Sequence, residues 1–325
     1  MPVSRRAALG GGLAAVLGGS ARAAAPVPVR GGVLRFGTVS WELDVIRRHG
    51  FDTAHGIVIK PQQFAGAPAT QVALQAGAVD VTAEDWLWVA RQRADGADWT
   101  FVTFSTAIGG IVAPPDSPVH TVADLPGKRL GIAGSPLDKS WLILRAYAQA
   151  KFKLDLDRAV RKSFGPPPLL AEEAAAGRLD AVLTFWPFVA RAEAAGERCV
   201  LSMETATRAL GVGASVPVGG YVFSERWAKA NHVAVAGLVA ASADARTVLA
   251  RDDAEWDAVA PLMGASDPAE RIKLRDAYRA GIPRGPEAER AAAAARLFTV
   301  LVRVGGPALV GGATTLPPGT FWQGS

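Results

Sequence analysis

The stretch that most constrains the fold of this 325-residue chain runs from residue 112 to residue 141, VAPPDSPVHTVADLPGKRLGIAGSPLDKSW. Its first part is an extended connector, since proline fixes φ and removes a hydrogen-bond donor, and it holds Pro114, Pro115 and Pro118. Residues 129–133 follow as a short strand of the buried type. A helix then begins at Pro136, with Ser135 as its N-cap and Asp138 at its third position. A strand that leads into a capped helix predicts the first βα unit of an α/β lobe, and ligands bind at the carboxyl ends of such strands.

Strands and helices alternate on both sides of the proline connector. Before it, the pattern predicts strands at 33–39, 56–60, 79–82, 101–105 and 110–113, and helices at 41–49 and 69–76. After it, strands are predicted at 129–133, 159–164 and 179–185, and helices at 136–150 and 169–176. The halves share a motif, Gly77-Ala-Val-Asp80 and Gly177-Arg-Leu-Asp180, in which a glycine caps a helix and leads into an apolar strand. The sequence therefore predicts an α/β protein with two similar Rossmann-like lobes.

The expected domain limits follow from this alternation. Residues 219–223 form a strand that returns to the first lobe, and the chain is helical and alanine-rich from Glu225 onward. We expect lobe 1 to comprise residues 31–113 and 217–304, lobe 2 to comprise 114–216, and 305–325 to form an irregular tail. A two-segment hinge is expected at the crossovers, 113–118 and 214–221.

The N-terminus reads as a secretory signal. Arg5 and Arg6 precede an apolar run over residues 7–17, which is too short to span a bilayer, and small-residue cleavage sites lie near residue 25. The two arginines are also compatible with the twin-arginine route. No later segment reads as a membrane span. We therefore expect residues 1–25 to be removed on export and the protein to be periplasmic.

Composition excludes several classes of function. Cys199 is the single cysteine, so an intramolecular disulfide is impossible. The formal net charge of +5 includes three arginines of the signal segment, and the other basic residues are scattered, which argues against nucleic acid as a partner.

Four segments resemble one family of proteins: Ala73-Leu-Gln-Ala-Gly-Ala-Val-Asp80, Asp116-Ser-Pro-Val119, Val122-Ala-Asp-Leu-Pro-Gly-Lys128 and Ala176-Gly-Arg-Leu-Asp-Ala181. In order and spacing they are similar to periplasmic solute-binding proteins of ABC importers, in the branch for sulfonates, taurine, nitrate and thiamine precursors. The resemblance implies a type II periplasmic-binding-protein fold, a small ligand held between two lobes, and delivery to a membrane permease with a cytoplasmic ATPase. It also leaves open an enzyme that makes the thiamine pyrimidine, or a ligand-sensing subunit of a membrane receptor.

The predicted binding site consists of residues at or near the carboxyl ends of strands. They are Ser40, Trp41, Phe64, Asp85, Trp86, Ser135, Asp138, Lys139, Trp186 and Tyr221. Converging aromatic rings suit a planar or partly apolar ligand, and they also suit a cation. The helix start at Ser135 favours an anion, whereas Asp138 favours a ligand with donor groups, so the sign of the ligand charge stays open.

Catalytic signatures are absent from the sequence. It contains no Gly-x-Ser-x-Gly, no dinucleotide or phosphate-loop motif, and no metal-ligand spacing among its four histidines. In the thiamine-pyrimidine enzymes that the resemblance raises, activity depends on a cysteine-rich motif, which one cysteine cannot supply. We expect a binding protein, without cofactor or metal and monomeric, rather than an enzyme.

Overall fold

A computed structural model describes residues 25–35, 37–213, 215–306, 309 and 312–324. The expected signal segment, apart from residue 25, lies outside the described residues. The strands are β1 (Val27–Leu34), β2 (Ile57–Phe64), β3 (Val81–Glu84), β4 (Trp99–Ser105), β5 (Gly110–Ala113), β6 (Arg129–Ala133), β7 (Arg161–Gly165), β8 (Ala181–Thr184), β9 (Arg198–Ser202) and β10 (Gly219–Ser224).

The helices outnumber the strands and cover both sheets. In chain order they are α1 (Val39–His49), α2 (Phe51–Ala54), α3 (Ala67–Gln75), α4 (Trp86–Ala94), α5 (Lys139–Phe152), α6 (Leu156–Ala159), α7 (Pro167–Ala175), α8 (Trp186–Ala194), α9 (Met203–Ala209), α10 (Glu225–Ala230), α11 (His232–Arg251), α12 (Ala254–Met263), α13 (Pro268–Ala280) and α14 (Glu287–Gly305).

The described residues form two five-stranded sheets, with the strand orders β2-β1-β3-β10-β4 and β7-β6-β8-β5-β9. In each sheet one strand runs against its neighbours: β10 is antiparallel to β3 and β4, and β5 is antiparallel to β8 and β9. Both antiparallel strands follow a crossover from the other sheet. The predicted α/β class with two separate sheets is confirmed.

Strand β5 lies in the second sheet, although residues 110–113 were expected to end the first lobe. The chain leaves the first sheet after β4, so the first crossover is residues 106–109 rather than the proline connector. Hydrogen bonding drives this arrangement, because Ile111 pairs with Leu183 on one side and Leu201 on the other. Gly109 permits the approach, since a Cβ there would lie 1.7 Å from the carbonyl oxygen of Thr184.

The first two strands differ from their expected limits. Strand β1 begins at Val27, before the predicted residue 33, because its pairing with β2 starts at Ile57 and runs through Gly31 and Gly32. Strand β2 continues through Pro61 to Phe64, where a loop was expected. It is the edge strand of its sheet, and an edge strand tolerates a proline because one row of its backbone groups needs no partner.

The motif shared by the two halves belongs to a longer structural repeat with an offset of 100 residues. The limits of α3, β3 and α4 are those of α7, β8 and α8 shifted by that number. Gly77 and Gly177 end the first helix of each unit with φ of 68° and 70°. The aspartate three residues later accepts hydrogen bonds from the backbone and side chain of an arginine, Arg30 for Asp80 and Arg129 for Asp180.

The C-terminal helices contact both lobes, whereas residues 217–304 were expected to belong to lobe 1 alone. Helix α11 packs on α1 and β2 of the first lobe, but α13 packs on α8 and α14 packs on α5. Phe298 and Leu301 of α14 share one core with Trp141 and Leu142 of α5. Apolar residues on α13 and α14 thus cover the faces of α8 and α5 that the other elements of lobe 2 do not bury.

Helix α11 is, among the described residues, the one helix long and apolar enough to cross a membrane, with a mean hydropathy of 1.5. From the sequence, no segment after the signal was expected to be long and apolar enough for this. Its buried residues include Ala234, Leu238, Ala241 and Leu249. They pack in the cores beside β1, β2 and α1, as in the central helix of a globular lobe.

Candidate functional site

The carboxyl ends of strands from the two sheets meet at an ion pair. Asp85 follows β3 in the first lobe, and Lys139 begins α5 in the second lobe. The Lys139 Nζ lies 2.8 Å from Oδ2 of Asp85, and its side chain is only 4% exposed. The same ammonium donates to the carbonyl oxygen of Val218 on the second crossover at 3.4 Å and lies 5.4 Å from the ring centre of Trp86. Lys139 therefore links both lobes and a crossover.

Helix α5 begins three residues later than expected, at Lys139, and Asp138 is its N-cap. Oδ1 of Asp138 accepts a hydrogen bond of 2.8 Å from the backbone N–H of Ser140. Ser135 instead lies in an exposed turn, where its hydroxyl accepts from the N–H of Leu137 at 3.3 Å. A carboxylate of the chain itself thus caps the N-terminus of α5. Burial raises the pKa of Asp138 to about 6, and the nearby charge of Asp85 adds to the shift.

Glu84 gives this region another acidic group. Its Oε2 accepts a hydrogen bond of 2.9 Å from the side-chain amide of Gln71, a neutral donor on α3. Burial raises the pKa of Glu84 to about 7, and the neighbouring Asp85 adds to the shift, against the Gln71 hydrogen bond. Glu84, Asp85, Asp138 and Lys139 are called the acidic wall below.

An aromatic wall lies at the starts of α1 and α8. The rings of Trp41 and Trp186 meet edge to face with 6.0 Å between centroids, one from each lobe. Trp256 packs on Trp41 at 6.0 Å, and Tyr278 packs on both Trp41 and Trp186. Trp41 is 4% exposed and donates from its indole N–H to the carbonyl oxygen of Leu262. Trp186 and Tyr278 are both only partly buried. Of the four rings Trp186 alone lines the cavity described below, so it is the member of this wall that a solute there can contact.

Trp86 and Tyr221 lie behind the walls, although both were expected to face the ligand. Trp86 is fully buried, and its indole N–H donates to the carbonyl oxygen of Pro217 at 2.8 Å. Tyr221 is 5% exposed and donates to Glu42 at 2.6 Å. Trp86 begins α4 and Tyr221 lies within β10. Their burial could not be predicted from these local positions, because it depends on distant helices: Phe298 of α14 packs on Trp86, and Ser242 of α11 is hydrogen-bonded to Tyr221.

The two remaining predicted residues have local partners in the first lobe. Ser40 donates to the carbonyl oxygen of Gly37 at 2.6 Å and so stabilises the first turn of α1. Phe64 ends β2, is partly buried, and packs against the core of that lobe.

Sequence reasoning missed the contribution of the C-terminal helices. Trp256 and Tyr278 are not among the predicted site residues, yet both complete the aromatic wall. Tyr278 also donates to Glu42 at 3.2 Å, in a buried network with Ser242 and Arg246. Helical periodicity places such residues on a buried face, but no local signal says which distant element shares that face.

A cavity of about 470 Å³ adjoins the aromatic wall on the side of the crossovers. It is lined by Trp186, Val189 and Glu193 of α8, by residues 106–108 and Ser215 of the crossovers, and by the C-terminal end of α13. A volume of this size is within the usual range for small-molecule sites. Close to it, Arg191 forms an ion pair with Glu270 and donates to the carbonyl oxygen of Met263 at 2.7 Å, so α8 is held against α12 and α13.

The sequence family is decided by a family model described as "NMT1/THI5 like", which matches residues 45–252. The chain belongs to the NMT1/THI5-like family. No curated protein sequence matches the chain.

Solved structures match the fold over almost its whole length. The periplasmic aliphatic sulphonate binding protein SsuA from Escherichia coli is 20% identical, with a TM-score of 0.72, and the match covers 92% of this chain and 98% of that one. The alkanesulfonate-binding protein SsuA from Xanthomonas axonopodis pv. citri, bound to MOPS, is 23% identical, with a TM-score of 0.68 and coverages of 92% and 99%. The desulfurization enzyme DSZB is 16% identical, with a TM-score of 0.59 and coverages of 89% and 95%.

These matches confirm the expected type II periplasmic-binding-protein fold and the resemblance to solute-binding proteins of ABC importers. Because the fold is shared by binding proteins and by an enzyme, it does not by itself assign an activity. Among the described residues no group of three or more His, Cys, Asp and Glu side chains is arranged to hold a metal ion.

Proposed function

We propose that this protein binds a small organic solute between its two lobes in the periplasm and delivers it to the permease of an ABC importer. The observation that carries the proposal is that strand ends of the two sheets meet, in the Asp85–Lys139 ion pair and in the Trp41–Trp186 contact. A solute at this junction contacts both lobes only when they are closed. Its binding then stabilises the closed form by the difference between its affinities for the two states.

The residues proposed to contact the solute are a subset of those predicted. Trp186, Asp85 and Asp138 lie at the junction, while Ser40, Phe64 and Ser135 flank it at neighbouring strand ends. Lys139, Trp41, Trp86 and Tyr221 support these residues without facing the solute, because they are at most 5% exposed. Trp186 is the key residue of the proposal, since it combines a half-buried ring with a place beside the cavity.

A thermal-shift screen of sulfonates, pyrimidines, aromatic acids, amines and heterocycles tests the binding function. A solute at 100 times its Kd adds about 2.7 kcal/mol of stability, which gives a readable rise in Tm. Titration calorimetry of any hit then compares Trp186→Ala with Trp227→Ala, a half-buried indole that packs on Phe223 at the far end of β10. We expect at least a tenfold loss of affinity in the first variant alone. Equal affinities in both variants would contradict the proposed site, and no hit in the whole panel would contradict the function.

An enzyme is the second candidate, because the fold of the desulfurization enzyme DSZB matches 89% of this chain. Mass spectrometry after incubation with each hit distinguishes the two. The binding function predicts that the solute is recovered unchanged, whereas a new product would establish the enzyme.

A further inference from the structure

Helix α13 is fixed to the first lobe near its C-terminal end. The Tyr278 hydroxyl donates to the buried carboxylate of Glu42 on α1 at 3.2 Å. The guanidinium of Arg279 donates to the carbonyl oxygen of Leu249 on α11 at 2.9 Å, and it pairs with Asp253, the N-cap of α12, at 2.7 Å. Helices α11 and α12 both pack on α1. These contacts require α13 to move with the first lobe.

The same end of α13 is attached to the hinge. The carbonyl oxygen of Gly281, directly after the helix, accepts hydrogen bonds from the backbone N–H of Thr106 at 2.8 Å and from its hydroxyl at 3.1 Å. Thr106 begins the first crossover. A Cβ on Gly281 would lie 2.4 Å from the Cβ of Ala107, so the crossover and the helix end are in close contact. The C-terminal end of α13 therefore lies at the hinge.

The N-terminal half of α13 contacts α8 of the second lobe. Glu270, in the first turn of α13, forms an ion pair with Arg191, and the Lys273 Nζ lies 3.9 Å from Oε2 of Glu193. The Arg191–Glu270 pair is only partly exposed, so solvent and salt screen it less than a fully exposed pair. At 1.5 Å per residue, Glu270 lies about 16 Å along the helix from Gly281. The contact between the lobes is thus made far from the hinge, where a small rotation separates the two helices most.

Helices α8 and α13 also enclose the cavity of about 470 Å³. Its lining includes Trp186, Val189 and Glu193 on α8 and Ala277 and Ala280 on α13. Because α8 belongs to the second lobe and α13 is fixed to the first, rotation of the lobes changes the width of this cavity. A solute inside contacts both helices only when they are together.

We propose that α13 is a closing strap, which moves with the first lobe and holds α8 of the second through the Arg191–Glu270 and Glu193–Lys273 ion pairs. The solute-free protein therefore already populates the closed form. The role of the strap in capture rests on the proposed function, whereas the closure itself depends only on contacts within this chain. When the closed fraction falls, the apparent affinity for the solute falls by the same factor, because only the closed form offers the complete site.

Distances between spin labels in the solute-free protein test the strap. Cysteines are introduced in a Cys199→Ser background at exposed positions, Ile272 on α13, Leu169 on α7 of the second lobe and Val72 on α3 of the first. Double electron–electron resonance then measures the pairs 272–169 and 272–72. We expect one main distance for each pair in the protein with its ion pairs intact.

Reversal of one charge of the ion pair should separate the lobes. In Glu270→Arg the 272–169 distance should shift to longer values, because two like charges now face each other, while the 272–72 distance stays the same. Glu270→Gln is the milder variant if the reversal prevents folding. An unchanged 272–169 distance in both variants, or a longer 272–72 distance with the other pair constant, would overturn the strap.

A charge swap distinguishes the ion pair from a general loss of structure. Arg191→Glu alone should lengthen the 272–169 distance, and Arg191→Glu with Glu270→Arg should shorten it again. The control is Arg158→Glu, which reverses one charge of an exposed ion pair within the second lobe and should leave both distances unchanged. A double variant as open as the single ones would contradict the proposal.

The solute adds a separate readout. With a hit from the screen, Glu270→Arg should weaken binding by the factor by which it lowers the closed fraction, and Arg158→Glu should not. Unequal factors would contradict the role of the strap in capture. Because the distances are measured without solute, a panel without any hit would remove the proposed function and leave the strap to be decided by the distances alone.

Discussion

The two lobes contain the same unit at an offset of 100 residues, yet the corresponding tryptophans have opposite surroundings. Trp86 and Trp186 each begin the helix that follows a four-residue strand. Trp86 is fully buried against Phe298 and Phe321, whereas Trp186 is half-buried and lines the cavity. The residues before them also differ, Glu84 and Asp85 in one lobe and Thr184 and Phe185 in the other. The residues that the two units share thus build the same scaffold, and the positions at which the units differ give the cleft its chemistry.

The tryptophan pair gives the largest expected effect. Trp86→Ala should lower the free energy of unfolding by about 3–5 kcal/mol, since it empties a fully packed site. Trp186→Ala should cost less than about 2 kcal/mol, because its ring already contacts solvent. Denaturant unfolding of both variants measures this, and equal losses would contradict the assigned difference in burial.

The repeated aspartates should behave alike. Asp80→Ala and Asp180→Ala each remove an ion pair and a hydrogen bond to a backbone N–H, with an expected cost of about 2 kcal/mol. Hydrogen exchange resolved by lobe should show the loss in the first sheet for one variant and in the second for the other. A difference above about 1 kcal/mol between the variants would show that the two units are not energetically equivalent.

Much of this scaffold could be predicted from the sequence because its signals are local. Gly77 and Gly177 mark helix ends through a backbone conformation that glycine favours, and the aspartate after each reappears at the same structural position. The place of β5 could not be predicted, since its pairing with β8 and β9 depends on contacts far along the chain. The start of α5 was also misplaced, because both Ser135 and Asp138 are good N-caps and packing selects the second.

The binding site was less predictable than the scaffold for the same reason. A tryptophan after a strand indicates a place near the cleft for both Trp86 and Trp186. Whether the ring is available depends on α14, whose Phe298 contacts Trp86, and on α13, whose Tyr278 contacts Trp186. Phe298 and Tyr278 are each more than 90 residues away in the sequence from the rings that they contact, so no spacing rule connects them.

Glu84 should make the stability of the first unit depend on pH, whereas its counterpart in the second unit, Thr184, does not titrate. Its pKa rises from 4.5 to about 7 on folding, so between these values the unfolded chain has lost the proton that the folded protein keeps. The stability that this group contributes is therefore full below pH 4.5 and is lost as the pH rises towards 7. We expect a loss of about 1–3 kcal/mol across this window, removed in Glu84→Gln. Parallel stability curves for the variant and the parent protein would contradict the shift.

Thr184, the counterpart of Glu84, should give the smallest effect. Thr184→Val replaces the buried hydroxyl, which has no hydrogen-bond partner in the part of the chain that the structure describes, by a methyl group of similar size. The unliganded protein should gain up to about 1 kcal/mol, since no hydrogen bond is lost. Thermal unfolding measures the gain, and a loss of more than about 1 kcal/mol would show that the hydroxyl has a partner.

The most direct test of the account is a crystal structure with a solute from the screen bound. The account predicts density for the solute at the junction of the two lobes, in contact with Trp186 and with the acidic wall. A solute seated on one lobe alone, or bound elsewhere with the Asp85–Lys139 junction unchanged, would contradict it.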